Sequence, residues 1–179
     1  MPTIFTHAAV PLAVGLGLGK NVISRKLMVT GVVASMIPDL DGISFWAGIP
    51  YVSPPEHRRF KHSILFVLFC GLPAATFHRF FKTKVSMAFF FIGGVVLSHI
   101  FLDALTNGGL GTALLWPFSN KRFFLPFRPI EVSPLALTRL FSSRGIQVIT
   151  SELKWVWLPM LCLFVLLLPI RSFSKTKRT

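Results

Sequence analysis

Acidic side chains are scarce in this chain. Six Asp and Glu stand against nineteen Lys and Arg, which leaves a formal net charge of +13. Tyr occurs once against nineteen Phe, and there are two Cys. Cys70 and Cys162 lie in separate apolar runs. Neither a disulfide framework nor a CxxC metal motif is expected, and both read as small buried hydrophobes. No P-loop, dinucleotide-binding glycine pattern or serine-nucleophile motif is present, which removes the corresponding enzyme classes. Internal repeats and low-complexity tracts are missing too.

What is abundant is apolar surface. The 179 residues are 53% hydrophobic, with a mean hydropathy of +0.66, too apolar for an ordinary soluble domain. Phe in place of Tyr suits lipid. A single domain over 1–179 is expected from the length. A pI near 11.0 would fit a nucleic-acid binder, but the distribution of charge argues otherwise. The cations fall in short clusters between apolar runs: Lys20, Arg25 and Lys26; Arg58, Arg59 and Lys61; Arg79, Lys82 and Lys84; and a tail from Arg171 to Arg178. Loops that flank membrane helices and meet anionic lipid have this layout. Nucleic acid is not an expected partner.

Five apolar segments are predicted, near 4–19, 27–37, 64–77, 86–105 and 155–170. Several fall short of the roughly 20 residues that span a bilayer core. The fold class is therefore all-α membrane protein, with about five short transmembrane or partly buried helices. The last segment carries Trp155 and Trp157 at one end and the basic tail at the other, an interfacial anchor and a stop. No Lys or Arg precedes the first segment, unlike a cleavable signal. Residues 1–105 carry the motifs, 106–154 form an irregular interfacial loop, and 155–170 is the final span. Within that loop a short hairpin or irregular turn is expected around Ser119-Asn120, and 134–142 reads as a short amphipathic helix. Trp116, Phe118, Phe123, Phe124 and Phe127 interleave with Lys121, Arg122 and Arg128, a mixture suited to lipid headgroups.

The three aspartates stand where charge costs most. Asp39 and Asp41 follow the second segment in Pro38-Asp39-Leu40-Asp41-Gly42, and Asp103 closes the fourth in Ser98-His99-Ile100-Phe101-Leu102-Asp103. A carboxylate beside hydrocarbon costs several kcal/mol unless a cation compensates. His99 and Asp103, four apart, share one helix face, a spacing that recurs in metal sites. A simple His–Asp hydrogen bond would also explain the pair. The Asp39–Asp41 turn can aim both carboxylates at one centre, or cap backbone donors instead. His57 and His62 bracket Arg58, Arg59 and Lys61 before the third segment, and His7 begins the first. The positive-inside rule puts Lys20, Arg25, Lys26, Arg79, Lys82, Lys84 and the tail in the cytoplasm. All seven candidates, His7, Asp39, Asp41, His57, His62, His99 and Asp103, then fall at the non-cytoplasmic face. His78 lies apart, among the cytoplasmic cations. Mixed oxygen and nitrogen donors indicate a divalent metal, zinc first and manganese or iron next, as one ion or two. Such an ion lowers the pKa of a bound water.

The ordered motifs resemble the YdjM/YbcI family. They are Thr6-His7, Pro38-Asp39-Leu40-Asp41, His57-Arg58-x-x-x-His62-Ser63, Ser98-His99-x-x-Leu102-Asp103-x-x-Thr106 and Leu115-Trp116-Pro117-Phe118. They cover about residues 1–130. Members are bacterial inner-membrane proteins described as metal-dependent hydrolases, some of them under the SOS repressor LexA. The resemblance implies that the seven candidates form a metal centre in the inner membrane. One departure stands out. The family's His-Arg-Gly-x-Thr-His-Ser has Arg59 here in place of Gly and Lys61 in place of Thr.

The expected function is a multi-pass, membrane-bound, metal-dependent hydrolase acting on a phosphoester in a membrane lipid or lipid-linked substrate. Asp39 is the general-base candidate. Arg58 would hold phosphate by bidentate contact, and Trp116 would help hold the headgroup. The alternative is a metal- or proton-binding transport or sensor protein that uses the same residues without catalysis.

Overall fold

The computed structural model describes residues 1–42, 59–134 and 137–176. A 3-10 turn, Ile4–Ala8, leads into helix α1, Ala9–Leu18. Helix α2, Arg25–Met36, ends in a second 3-10 turn, Ile37–Gly42. Helix α3 is Ile64–Thr76 and α4 is Val85–Ala104. Helix α5, Ser143–Glu152, runs through a π-helical turn, Leu153–Trp157, into α6, Leu158–Thr176. Among the described residues there is no strand, only isolated bridges, and the fold is all-α.

Local chemistry sets the helix ends. The Ser24 hydroxyl accepts from the amide of Leu27 and caps α2, which supplies one of the four donors a helix start leaves unpaired. Gly19 follows α1 at φ +74°, a conformation that glycine adopts without steric cost. The Ser142 hydroxyl caps α5 through the amide of Gly145.

Helix α4 is the centre of the bundle and packs against α3 and α2, while α1 packs against α6. Phe66, Ala74, Ala88, Phe91, Ile92, Val95 and Val96 belong to the main core, with Leu27 and Ala34 from α2. Small residues let the backbones approach, as in membrane helix pairs. A Cβ added at Gly31 would stand 2.6 Å from the Phe91 ring, and one at Gly15 2.6 Å from Met28. A smaller core joins Ala9, Leu102, Ile130 and Val156. It ties the 106–134 connection to the last helix.

Helix α4 and the 29-residue run Ser143–Arg171 are long and apolar enough to cross a membrane, while Ile4–Leu18 and α3 are shorter apolar helices. Large apolar side chains face outward along them, among them Phe69, Leu72, Phe90, Phe101, Leu161 and Leu166. The last helix starts at Ser143 rather than near 155, so part of the expected loop is helical. The amphipathic stretch is shifted with it: Leu137–Phe141 is a 3-10 turn, and α5 buries Gly145, Val148 and Glu152 on one face. The expected hairpin reduces to one antiparallel bridge, Thr112 to Phe123. Cys70 is half-buried, and Cys162 is exposed on α6 rather than buried, as a lipid-facing thiol would be.

The close α2–α4 contact makes a prediction. Gly31→Ala should destabilise the protein by about 1–3 kcal/mol, the usual cost of overpacking. Gly94→Ala is the control, because a Cβ there meets nothing within 4 Å. Thermal unfolding in detergent would check the pair, and equal melting temperatures would refute the tight contact.

Candidate metal centre

Four chain segments deliver the site to one end of the bundle. His7 comes from the turn before α1, Asp39 from the turn after α2, His62 from just before α3, and His99 and Asp103 from the end of α4. All five side chains are buried. One donor atom from each of His7, Asp39, His99 and Asp103 lies within 4.8 Å of the others, so the group could hold a metal ion. His62 joins them: its Nε2 is 3.0 Å from Asp103 Oδ2 and 3.6 Å from Asp39 Oδ1. His7 Nε2 is 3.3 Å from Asp39 Oδ2, and its ring stacks on His99 at 3.8 Å.

The protonation of His99 follows from its partner. Its Nδ1 lies 2.8 Å from the carbonyl oxygen of Ser35. A carbonyl can only accept, so Nδ1 carries the proton and donates it. A neutral His99 then presents a bare lone pair at Nε2. That atom faces Asp39 Oδ1 at 3.8 Å, Asp103 Oδ2 at 3.6 Å and His62 Nε2 at 3.3 Å. Lone pair against carboxylate is repulsive unless a cation lies between them. Histidine ligands to metals commonly donate their other ring N–H to a carbonyl in this way.

Unpaired atoms point the same way. His7 Nδ1 and Nε2, both Asp39 carboxylate oxygens and Asp103 Oδ1 are buried without a hydrogen bond. Buried polar atoms normally find partners, and leaving them unmet costs about 1–3 kcal/mol each. Once the imidazoles give up any proton to act as ligands, the two carboxylates leave a charge of −2 on the cluster, which a divalent cation would neutralise. The donor set therefore fits the metal that the sequence leads one to expect.

A cavity of about 10 Å³ adjoins the cluster, lined by Met1, His62, Asp103, Gly108, Leu110 and Gly111. That is about the room one water needs. Loop 105–134 closes over this end of the bundle. Leu114 accepts from the amide of Ile64, Ala104 from that of Leu125, and Met1 from that of Ser133. The Arg122 guanidinium donates to the carbonyl of Gly111.

Other predicted residues fall differently. The Asp41 backbone lies in the same turn as Asp39, but its side chain is outside the described residues, as are His57 and Arg58. Trp116 is half-buried in the loop, its ring centroid 5.7 Å from that of Phe60 in an edge-to-face arrangement. Arg59, which departs from the family motif, donates to Asn120 of that loop at 3.3 Å. His78 bonds the carbonyl of Thr83. It lies past the far end of α3, about 20 Å from the cluster at 1.5 Å per helical residue.

The YdjM inner membrane protein family matches residues 1–176. The chain belongs to this family. Inner membrane protein YbcI of Escherichia coli (strain K12) is 45% identical over 160 residues, covering 89% of this chain and 92% of that protein. No solved structure matches. This YdjM-family chain is thus an inner membrane protein with a buried His/Asp cluster that could bind metal.

Sequence reasoning missed Glu152. It is 4% exposed and accepts from the Thr3 amide, the Thr3 hydroxyl and the Thr6 hydroxyl. Trp157 Nε1 also donates to Thr6 Oγ1. In a regular α-helix, positions five apart diverge by about 140°. The π-helical turn brings Glu152 and Trp157 onto one face, so both reach the residue next to His7. The available signal was its place as the one acidic residue bordering the last apolar run.

Electrostatics sets the pH dependence. Burial alone would push the His62 ring down, but the Asp103 carboxylate at 3.0 Å and the Asp39 carboxylate at 3.6 Å outweigh it and hold the pKa up at about 9. Burial likewise works against an ionised Asp39, yet the imidazoles packed around it keep its carboxyl well below the ordinary value. Metal must displace the His62 proton to bind. Apparent metal affinity of the metal-free protein should therefore climb as pH rises towards about 9 and level off above it. His62→Ala should flatten that slope and His78→Ala should leave metal content intact. Affinity independent of pH in the wild type would exclude His62 as a ligand.

Glu152→Gln keeps size but loses one acceptor oxygen. Metal affinity should fall on the order of tenfold, as for other outer partners of ligands, with the pH slope retained. Unaltered affinity in a calorimetric titration would remove Glu152 from the site's support.

Proposed function

We propose that this protein is a membrane-bound, metal-dependent hydrolase of a phosphoester in a lipid or lipid-linked substrate, with its site at the non-cytoplasmic face. The observation that carries the metal is the His99 lone pair aimed at two buried carboxylates. In this reading His7, Asp39, His62, His99 and Asp103 hold the ion, with Asp41 and His57 as the further candidates from the sequence. Zinc suits the carboxylate–imidazole set, with manganese or iron as the next choices. A bound divalent ion supplies a Lewis acid and activates water near neutral pH.

The chain's own residues do the rest. The cavity beside His62 and Asp103 admits one water. Asp39 stays ionised among the histidines, as a metal ligand must, and is the general-base candidate from the sequence. Arg58 would neutralise charge growing on phosphoryl oxygens, and Trp116 lies in the aromatic loop suited to headgroups.

Orientation and multi-pass topology are supported by the basic turns. Lys26 Nζ sits 4.1 Å over the Phe80 ring, which places the α1–α2 turn beside the α3–α4 turn. A Cβ on Gly19 would touch the Arg171 side chain, which brings the basic end of α6 there too. These basic turns lie opposite the His/Asp cluster, and positive-inside orientation then turns the cluster outward. Transport fits less well. Among the described residues, every buried polar side chain, from Thr6 to Glu152, lies at the cluster's end, leaving no polar path across the bundle.

The test is Arg58. Arg58→Lys keeps charge but loses the planar fork. Metal content should stay normal while turnover of a lipid phosphoester falls on the order of tenfold or more. Full activity in Arg58→Ala would defeat the phosphate assignment. Metal loss in either variant would favour the non-catalytic reading.

A further inference from the structure

A second cavity lies on the opposite face of α4. It measures about 600 Å³ and is lined by Gly94, Leu97, Phe101 and Ala104 of α4 and by Phe123 and Phe124 of the loop, among others. Residues 94, 97, 101 and 104 recur at helical spacing. His99 and Asp103 project from the other side of the same helix, into the cluster. The volume is that of a small-ligand site.

Three features identify the occupant. The first is length. From Gly94 to Ala104 the groove runs about 15 Å along the helix. That is half of the roughly 30 Å hydrocarbon core, the depth of one leaflet. The second is its floor: nothing lies within 4 Å of a Cβ placed at Gly94, so the groove stays open at its inner end. The third is charge at its rim. The Arg128 guanidinium lies 5.1 Å over the ring of Phe124, and Arg122 is bonded to Gly111. The walls are apolar, the length matches one leaflet and the mouth is cationic. One tail of an anionic lipid fits all three.

The groove also adjoins the metal cavity. Gly111 lines the water-sized cavity, and a Cβ there would strike the Phe124 ring of the groove at 2.9 Å. Gly111 and Phe124 are thus a shared wall. A headgroup at the mouth of the groove sits beside the loop that covers the cluster.

We propose that the groove between α4 and residues 112–125 binds one hydrocarbon tail of a phospholipid-like substrate and so presents its phosphate to the site. This assignment rests on the hydrolase reading for its purpose, but the binding can be tested apart from it. Purified wild type, Gly94→Phe and Leu97→Trp would be exchanged into detergent with dipalmitoyl phosphatidylglycerol. Bound lipid and oligomeric state would be read by native mass spectrometry, and metal content in parallel. The wild type should retain one lipid. Both variants should retain it at least about tenfold less well, with metal content kept. Equal lipid retention in all three would overturn the proposal. So would a wild-type dimer that the variants disrupt while lipid retention is unchanged, since a second copy would then fill the groove. Hydrolysis separates the two claims. If lipid binds as expected but neither this lipid nor a water-soluble phosphate monoester is cleaved, the hydrolase reading fails and the groove stands. If the wild type cleaves the lipid and Gly94→Phe shows the same KM, the groove fails and the hydrolase stands.

Discussion

Two buried carboxylates facing three imidazoles are the constraint around which the molecule is arranged. Asp39 and Asp103 stand within 4 Å of His7, His62 and His99. Burial keeps bulk water from them, and each pairing taken alone is incomplete. Leaving such groups buried is expensive, so the surroundings must hold them together against their cost. The helices do so by ending together. Two start and two finish at this level, and the loop after α4 seals the end with backbone hydrogen bonds.

Polarity is segregated along the bundle as a result. The end with the cluster holds the buried polar side chains, while the opposite end gathers the cations of the turns. The middle is apolar within and apolar without. In water the outer apolar belt would be an aggregation surface; in the inner membrane it is the solvent-facing surface. The close glycine contacts at Gly15 and Gly31 belong to the same economy, because helices in lipid associate through packing rather than through a hydrophobic drive.

The sequence made much of this legible, for identifiable reasons. Charge is so costly in apolar segments that His99 and Asp103 announce themselves, and i, i+4 spacing fixes their shared face. Helices over 64–76 and 85–104 follow from long apolar runs, each entered from a cationic stretch, Lys61 before the first and Lys82 and Lys84 before the second. What stayed hidden depends on tertiary contact. Ser35 takes part through its backbone carbonyl, which no residue type signals. The start of the last helix at Ser143 was obscured by its polar first turns, whose buried face of Gly145, Val148 and Glu152 appears only in the folded chain. Nothing in the local sequence marks the role of Glu152, because its partners lie at the other end of the chain.

That long-range link carries a structural consequence for the site. His7 comes from the first few residues of the chain, where segments fray unless tied down. Here the tie is a buried carboxylate receiving three bonds from Thr3 and Thr6, with the indole of Trp157 bonded to Thr6 as well. A regular helix could not offer Glu152 and Trp157 to the same residue, and the π-helical turn removes that obstacle at the cost of poorer local hydrogen bonding. The last helix, little buried along its apolar length, thereby gains a function for its first turns. It fixes the N-terminal segment so that the His7 ring can stack on His99. The geometry of the cluster thus depends on residues 3 to 157, and the chain must close on itself before its donors can meet.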